Sequence, residues 1–199
     1  MSMVVYVNDV LLADRIGIYT GDDMARLVPM QKLHISACRR FAFGYCGSKL
    51  MQSQLEELEL YLLSVLTMSR VDKIPYDLGP DDRRGSNVSH AVLGKQKCIV
   101  MTSDAVYEHS RQYSGSFVRL ETSDVILEGT YSDGFYTALR IKQMRAGNIL
   151  FTEKEVVDVA FSYIDYVSGQ ANPTIDSICR HDLLQFNVDD VVTTTAEEN

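Results

Sequence analysis

Ser2, Asp14 and Lys32 are residue types that together can do nucleophilic chemistry near the start of the sequence. A small residue after Met1 allows the methionine to be removed, which leaves a serine with its hydroxyl and α-amine on one carbon. The free amine then serves as base for the adjacent hydroxyl. A lysine ammonium beside that hydroxyl would lower its pKa and ease deprotonation. A carboxylate at Asp14 would hold and orient the lysine. Gly47 offers an unhindered backbone N–H to the oxyanion of a tetrahedral intermediate. Ser132, a good helix N-cap residue, brings a second hydroxyl for the terminal amine. Each also has a plain structural reading. Ser2 is then an exposed terminus, Asp14 a solvated turn carboxylate, Lys32 a surface charge, Gly47 a turn residue and Ser132 a cap alone.

Strands are needed to bring these groups together. Met3 to Val7 and Val10 to Ala13 are apolar runs separated by Asn8-Asp9, a two-residue hairpin signal. Gly17 to Pro29 reads as polar and irregular. Leu33 to Ile35 and Arg40 to Tyr45 give a second pair of strands ending at Cys46-Gly47-Ser48. From about Ser53 to Ser69, Leu55, Leu58, Leu62, Val65 and Leu66 recur at helical spacing, with Glu56, Glu57 and Glu59 near the helix start, where the dipole favours anions.

The stretch Pro75 to Ser86 is rich in proline, glycine and charge and reads as a loop. Ser89 to Leu93, Cys98 to Thr102, Ser116 to Leu120 and Asp124 to Leu127 are β-like. A helix opens near Ser132-Asp133-Gly134 and closes at Gly147, a natural C-cap. Thr152 and Glu155 form a capping box for a further helix, with Val156, Val159, Ala160, Tyr163 and Ile164 facing inward and Gly169 to Pro173 ending it. The order predicts an α+β fold: a four-layer αββα sandwich of two mainly antiparallel sheets flanked by helices. It occupies residues 1–192 as a single domain, followed by a polar tail over 193–199.

The 199 residues suffice for a full hydrophobic core, and 46% hydrophobic with 23% charged residues is ordinary globular composition. A net charge of −8 argues against nucleic acid as a partner. No apolar run approaches bilayer length and no signal-peptide pattern stands at the N-terminus, so neither a membrane nor secretion is expected and the cytoplasm is the expected location. Cys38, Cys46, Cys98 and Cys179 form no close pair; Cys38 and Cys46 read as small buried hydrophobes in strand-like sequence. The histidines at 34, 90, 109 and 181 show no pairing. No metal motif, phosphate-binding glycine loop or Ser-His-Asp set is present, and neither cofactor nor metal is expected.

The order of motifs resembles that of the proteasome β-subunit and, more closely, the bacterial HslV-type peptidase, both N-terminal nucleophile hydrolases. The resemblance rests on Ala13-Asp14-Arg15 on the second strand, Lys32 before an alternating strand ending in Cys46-Gly47-Ser48, Ser132-Asp133-Gly134-Phe135-Tyr136, Phe151-Thr152-Glu153-Lys154-Glu155 and Asn172-Pro173-Thr174-Ile175. It covers about 1–70 and 120–178. The family hairpin is longer by about four residues, and removing two from each arm preserves every strand face, which places the nucleophile on Ser2.

The resemblance implies hydrolysis of peptide or other amide bonds by Ser2, with Asp14, Lys32, Gly47 and Ser132 completing the site. It also implies a homo-oligomer, a peptide or protein substrate and an ATPase unfoldase as partner. Serine replaces the family's usual threonine, the region of the second long helix is the loop from Pro75, and the aspartate of the last helix falls to Asp165, one position off register. The alternative is a catalytically inactive member serving as a binding or assembly module.

Overall fold

The computed structural model describes residues 2–21, 24–47, 49–72, 97–109, 118–120, 125–169 and 172–186. The loop expected over 75–86, the strand expected over 89–93, Ser48 and the tail lie outside the described residues. The first two strands, β1 (Val4–Val7) and β2 (Val10–Asp14), pair antiparallel with Val7 opposite Val10. Asn8 and Asp9 turn between them at φ 51 and 61, the left-handed pair that a two-residue hairpin of type I′ requires.

The segment after β2 departs from the expectation of irregular chain. It forms a two-stranded antiparallel hairpin of β3 (Ile16–Gly21) and β4 (Met24–Pro29). Among the described residues its strands pair only with each other, so cross-strand backbone bonds rather than a continuous apolar face define it. Gly17, Gly21 and Pro29 dilute the alternation that would have marked it in sequence.

Three more strands follow: β5 (Leu33–Ile35), β6 (Phe41–Cys46) and β7 (Lys97–Thr102). With β8 (Val106–His109) and β9 (Val118–Leu120) they form an antiparallel sheet in chain order. The other sheet has the order β10 (Val125–Glu128), β1, β2, β11 (Ile175–Cys179), also antiparallel. Neither β8 nor β11 was expected. Both are short and carry polar residues, Glu108 in one and Asp176 and Ser177 in the other. Cys38 is also corrected: it lies half-buried in the turn between β5 and β6, not in a strand.

Three α-helices are described: α1 (Gln52–Asp72), α2 (Ser132–Arg145) and α3 (Glu153–Ser168). Because α1 begins at Gln52, its first turn holds no acid; Glu59 instead accepts the Ala37 amide at 2.6 Å and ties the β5–β6 turn to the helix. In α3 the capping box forms as expected, with Thr152 and Glu155 each satisfying the other's backbone N–H, and Gly169 closes the helix in the left-handed conformation. At Gly134 the helices approach closely: a Cβ there would lie 2.0 Å from the Tyr163 hydroxyl, so a larger residue requires the Tyr163 side chain to move.

Three apolar clusters join these elements. Leu58, Tyr61, Leu62 and Leu66 of α1 pack with Phe41, Phe43, Tyr45, Cys98 and Val100 of one sheet. Phe135, Leu139, Val156, Val159, Ala160 and Ile164 of α2 and α3 pack with Met3, Val5, Val7, Val10 and Leu12 on the other. The opposite faces of the two sheets share a third cluster: Val4, Tyr6, Leu11 and Ala13 against Ala42, Cys46, Ile99 and Met101. Every residue of β1 and β2 is therefore buried, which explains why they read as unbroken apolar runs rather than alternating ones. The two sheets come close at Gly44, where a Cβ would lie 2.5 Å from Val4 Cγ1. Among the described residues, no helix is long and apolar enough to cross a membrane.

Candidate functional site

Asp14 ends β2, and antiparallel pairing sets it opposite Met3, whose carbonyl accepts the Asp14 amide at 3.2 Å. Its carboxylate is fully buried and well supplied with donors. Oδ1 accepts from the Met3 amide at 2.6 Å and from Lys32 Nζ at 2.7 Å, and Oδ2 accepts from the Ile16 amide at 3.0 Å. Lys32 arrives from the residue preceding β5 and is 1% exposed. Its own carbonyl accepts the Tyr45 amide at 3.1 Å, which extends the β5–β6 ladder by one residue. A buried ion pair with its remaining valences filled by backbone donors is the arrangement that makes such burial tolerable.

Ser2 continues β1 outward and is half-buried. Its backbone is anchored on the other side by the segment after β10. The Ser2 carbonyl accepts the Tyr131 amide at 3.1 Å, and the Ser2 N–H donates to Thr130 Oγ1 at 3.3 Å. The Ser2 hydroxyl donates to Cys46 Sγ at 3.3 Å. Among the described residues, no hydrogen bond joins it to Lys32. The site thus contains Ser2, Asp14 and Lys32 in one neighbourhood, linked through the Met3 amide and the carboxylate that Lys32 shares with it.

Gly47 follows Cys46 directly, at φ 141, a conformation that side chains disfavour. Ser132 lies where the segment returns, but its role differs from the expectation. The N-cap of α2 is Tyr131, without a side-chain cap bond, and the buried Ser132 hydroxyl donates to the Glu128 carbonyl. The hydroxyl that meets the Ser2 nitrogen belongs to Thr130 instead. Asp165 lies on α3, and its register stays an expectation.

Three residues at the site carried no functional expectation from the sequence: Thr130, Cys46 and Glu128. Cys46 sits immediately before Gly47, and that adjacency was the available signal. Burial pushes its thiol pKa up, opposed by the Ser2 hydrogen bond and the Lys32 charge. Glu128 is 3% exposed, pairs with Lys97 at 3.1 Å and has its pKa raised, first by burial and then by a hydrogen bond with Glu108. Gly129, next along, has φ +96, and a Cβ there would lie 2.2 Å from the Ser2 carbonyl oxygen. Only glycine lets the chain pass so close to Ser2.

No protein-family model matches the sequence, and no curated protein matches it. Among solved structures, the fold is similar to that of eukaryotic HslV from Trypanosoma brucei, with a TM-score of 0.52 and 12% identity over 89% of this chain and 99% of that one. At that identity the likeness is one of fold.

Proposed function

We propose that this chain is an N-terminal nucleophile hydrolase of the proteasome and HslV type, a four-layer αββα sandwich that cleaves peptide or other amide bonds with Ser2 once Met1 has been removed. The observation that carries the reading is the buried Lys32–Asp14 pair, whose carboxylate also holds the Met3 amide next to Ser2. In the reaction, the Ser2 hydroxyl attacks the scissile carbonyl while its proton passes to the Ser2 amine. The Gly47 N–H donates to the resulting oxyanion, and Lys32 supplies positive charge beside the nucleophile. Collapse breaks the C–N bond as the protonated amine returns its proton to the leaving nitrogen. Water then attacks the ester by the same route, with the amine again as base. Thr130 is placed to orient that amine, the role expected of Ser132.

By the same reading, the protein works in the cytoplasm as a homo-oligomer on peptide or protein substrates, with an ATPase unfoldase delivering them. A second reading, a binding or assembly module on the same fold, is favoured by one observation: the Ser2 hydroxyl donates to Cys46 while Lys32 Nζ donates to Asp14.

Intact-mass analysis of the purified protein, alongside hydrolysis of fluorogenic peptides, separates the two. The hydrolase reading expects Met1 to be absent and Ser2→Ala to lower the rate by several orders of magnitude with the fold unchanged. Retained Met1, or a Ser2→Ala variant as active as the parent, leaves the binding module.

A further inference from the structure

At the far end of β2 and β11 from Asp14, where Cys179 pairs with Val10, a second group of chemically mixed side chains converges. Cys179 ends β11, and a single 3-10 turn, Arg180–Asp182, follows it. Cys179 Sγ, an imidazole nitrogen of His181 and a carboxylate oxygen of Asp182 all lie within 4.8 Å of one another. Glu153, in the first turn of α3, reaches the same place: its carboxylate accepts the Ser177 hydroxyl at 2.8 Å and takes a hydrogen bond from the Cys179 thiol. We propose that Cys179, His181 and Asp182 bind a divalent transition-metal ion of the zinc class, with Glu153 or a water in the fourth position.

The donor chemistry selects the metal. One thiolate sulfur, one imidazole nitrogen and carboxylate oxygens form a borderline-soft set that suits Zn2+ and is poor for Mg2+ or Ca2+, which take oxygen ligands. Zn–S and Zn–N/O bond lengths put tetrahedral ligands about 3.3–3.8 Å apart. His181 Nε2 and Asp182 Oδ1, 3.5 Å apart, already have that spacing, and no donor pair needs to close by more than about 1.5 Å. The outward-facing His181 and Asp182 side chains, 80% and 56% exposed, are free to rotate that far.

The scaffold beneath them is fixed. The Arg180 amide donates to the Asp9 carbonyl at 2.9 Å and the Leu183 amide to the Arg180 carbonyl at 3.1 Å. The one guanidinium in the turn is drawn away, with Arg180 Nε 3.1 Å from Asp9 Oδ1 and Nη2 donating to the Tyr6 hydroxyl. Metal binding replaces the proton on the thiol, which passes to solvent, and ties the end of β11 to its turn and to the start of α3. This departs from the expectation of no metal, which rested on spacing motifs: a Cys-x-His-Asp run is short, and Glu153 joins it only through the packing of α3 on β11.

The test uses the full-length protein, metal-stripped and reduced, titrated with Co2+ and then Zn2+ under absorption. The expected result is a thiolate-to-cobalt charge-transfer band that saturates at one Co2+ per chain and is displaced by Zn2+. Cys179→Ser abolishes the band, Cys38→Ser keeps it, and His181→Ala weakens binding by about tenfold or more. Since His181 is solvent-exposed, its variant decides the matter if Cys179→Ser fails to fold. No thiolate band, a band that survives Cys179→Ser, or a His181→Ala variant that binds as the parent does would each overturn the site. None of these readouts involves Ser2, so the proposed hydrolase activity can fail without affecting this one.

Discussion

Asp14 and Lys32 meet at 2.7 Å in a setting closed to water, one from the end of a strand in the first sheet and the other from the entry to the second. The contact joins the two sheets electrostatically at the point where Ser2 leaves β1. The carboxylate is shared: the same Oδ1 accepts hydrogen bonds from both the lysine ammonium and the Met3 amide. Lys32 and the backbone next to Ser2 are thus held by one and the same oxygen.

Removing the lysine should consequently cost more than a surface charge would. Lys32→Ala leaves a buried carboxylate without its counter-charge, and the expected loss is about 3–5 kcal/mol of stability. Combining Lys32→Met with Asp14→Asn removes both charges at nearly constant volume. The asparagine carbonyl keeps the Met3 amide bond while the bond from the Ile16 amide is lost, because an amide NH2 cannot accept it, so the double variant should recover part of that loss. Urea denaturation of the three proteins checks this. A double variant as unstable as Lys32→Ala would mean that packing, not charge, holds this point.

Gly129→Ala tests how tightly the Ser2 backbone is confined. Gly129 and Gly147 both have positive φ, +96 and +86, but differ in surroundings: a Cβ on Gly129 would meet the Ser2 carbonyl oxygen at 2.2 Å, whereas one on Gly147 would enter open space. Alanine at either position costs about 1–3 kcal/mol in backbone strain. Only at Gly129 should it also displace Ser2 and break the Tyr131 hydrogen bond, so Gly129→Ala should unfold at a clearly lower temperature than Gly147→Ala. Equal melting temperatures would show that the Ser2 segment yields freely.

The parts of the fold legible in sequence were those where local chemistry and burial agree. Asn8-Asp9 specified its turn without help, Thr152 and Glu155 capped their helix as a reciprocal pair, and the doubly buried β1 and β2 announced themselves by unbroken apolar character. The hairpin β3–β4 and the strands β8 and β11 were missed because cross-strand pairing supports them and their own residues are partly polar. The site divides in the same way. Asp14 and Lys32 were readable as charges flanking apolar strands, but that the hydroxyl meeting the Ser2 nitrogen belongs to Thr130 depends on how the chain turns between β10 and α2. No residue pattern encodes that two-position difference.

His34 should make stability fall on mild acidification. Its ring stacks on Phe43 and Tyr45 at centroid distances of 5.3 and 5.8 Å, and Nε2 is buried without a hydrogen-bond partner among the described residues. Burial lowers its pKa from the usual imidazole value. The unfolded chain therefore takes up a proton first as pH falls, and the stability present above the usual imidazole pKa is lost as pH drops through it toward the folded value. His34→Phe keeps the stack and removes the proton. Its melting temperature should change less than the parent's between about pH 7 and pH 5, a range that brackets the ordinary imidazole pKa; parallel curves would count against the assignment.

Glu128 should produce a dependence of the opposite sign. Burial raises its pKa, and the hydrogen bond with Glu108 adds to this, while Lys97 at 3.1 Å only partly offsets both. The folded chain therefore holds this proton to higher pH than the unfolded chain. Its contribution is complete below the usual carboxylate range and is lost as pH rises through that range to the folded value. Glu128→Gln keeps the shape and hydrogen-bonding capacity with no charge to bury. It gives up the pair with Lys97, which is 59% exposed and so worth little. Parent and variant should then melt alike in acid, and the variant should gain on the parent as pH rises toward neutrality. Differential scanning calorimetry of both across that range, with the difference in melting temperature plotted against pH, reads the effect directly. A difference that stays flat, or that favours the parent at neutral pH, would mean that Lys97 holds the carboxylate charged.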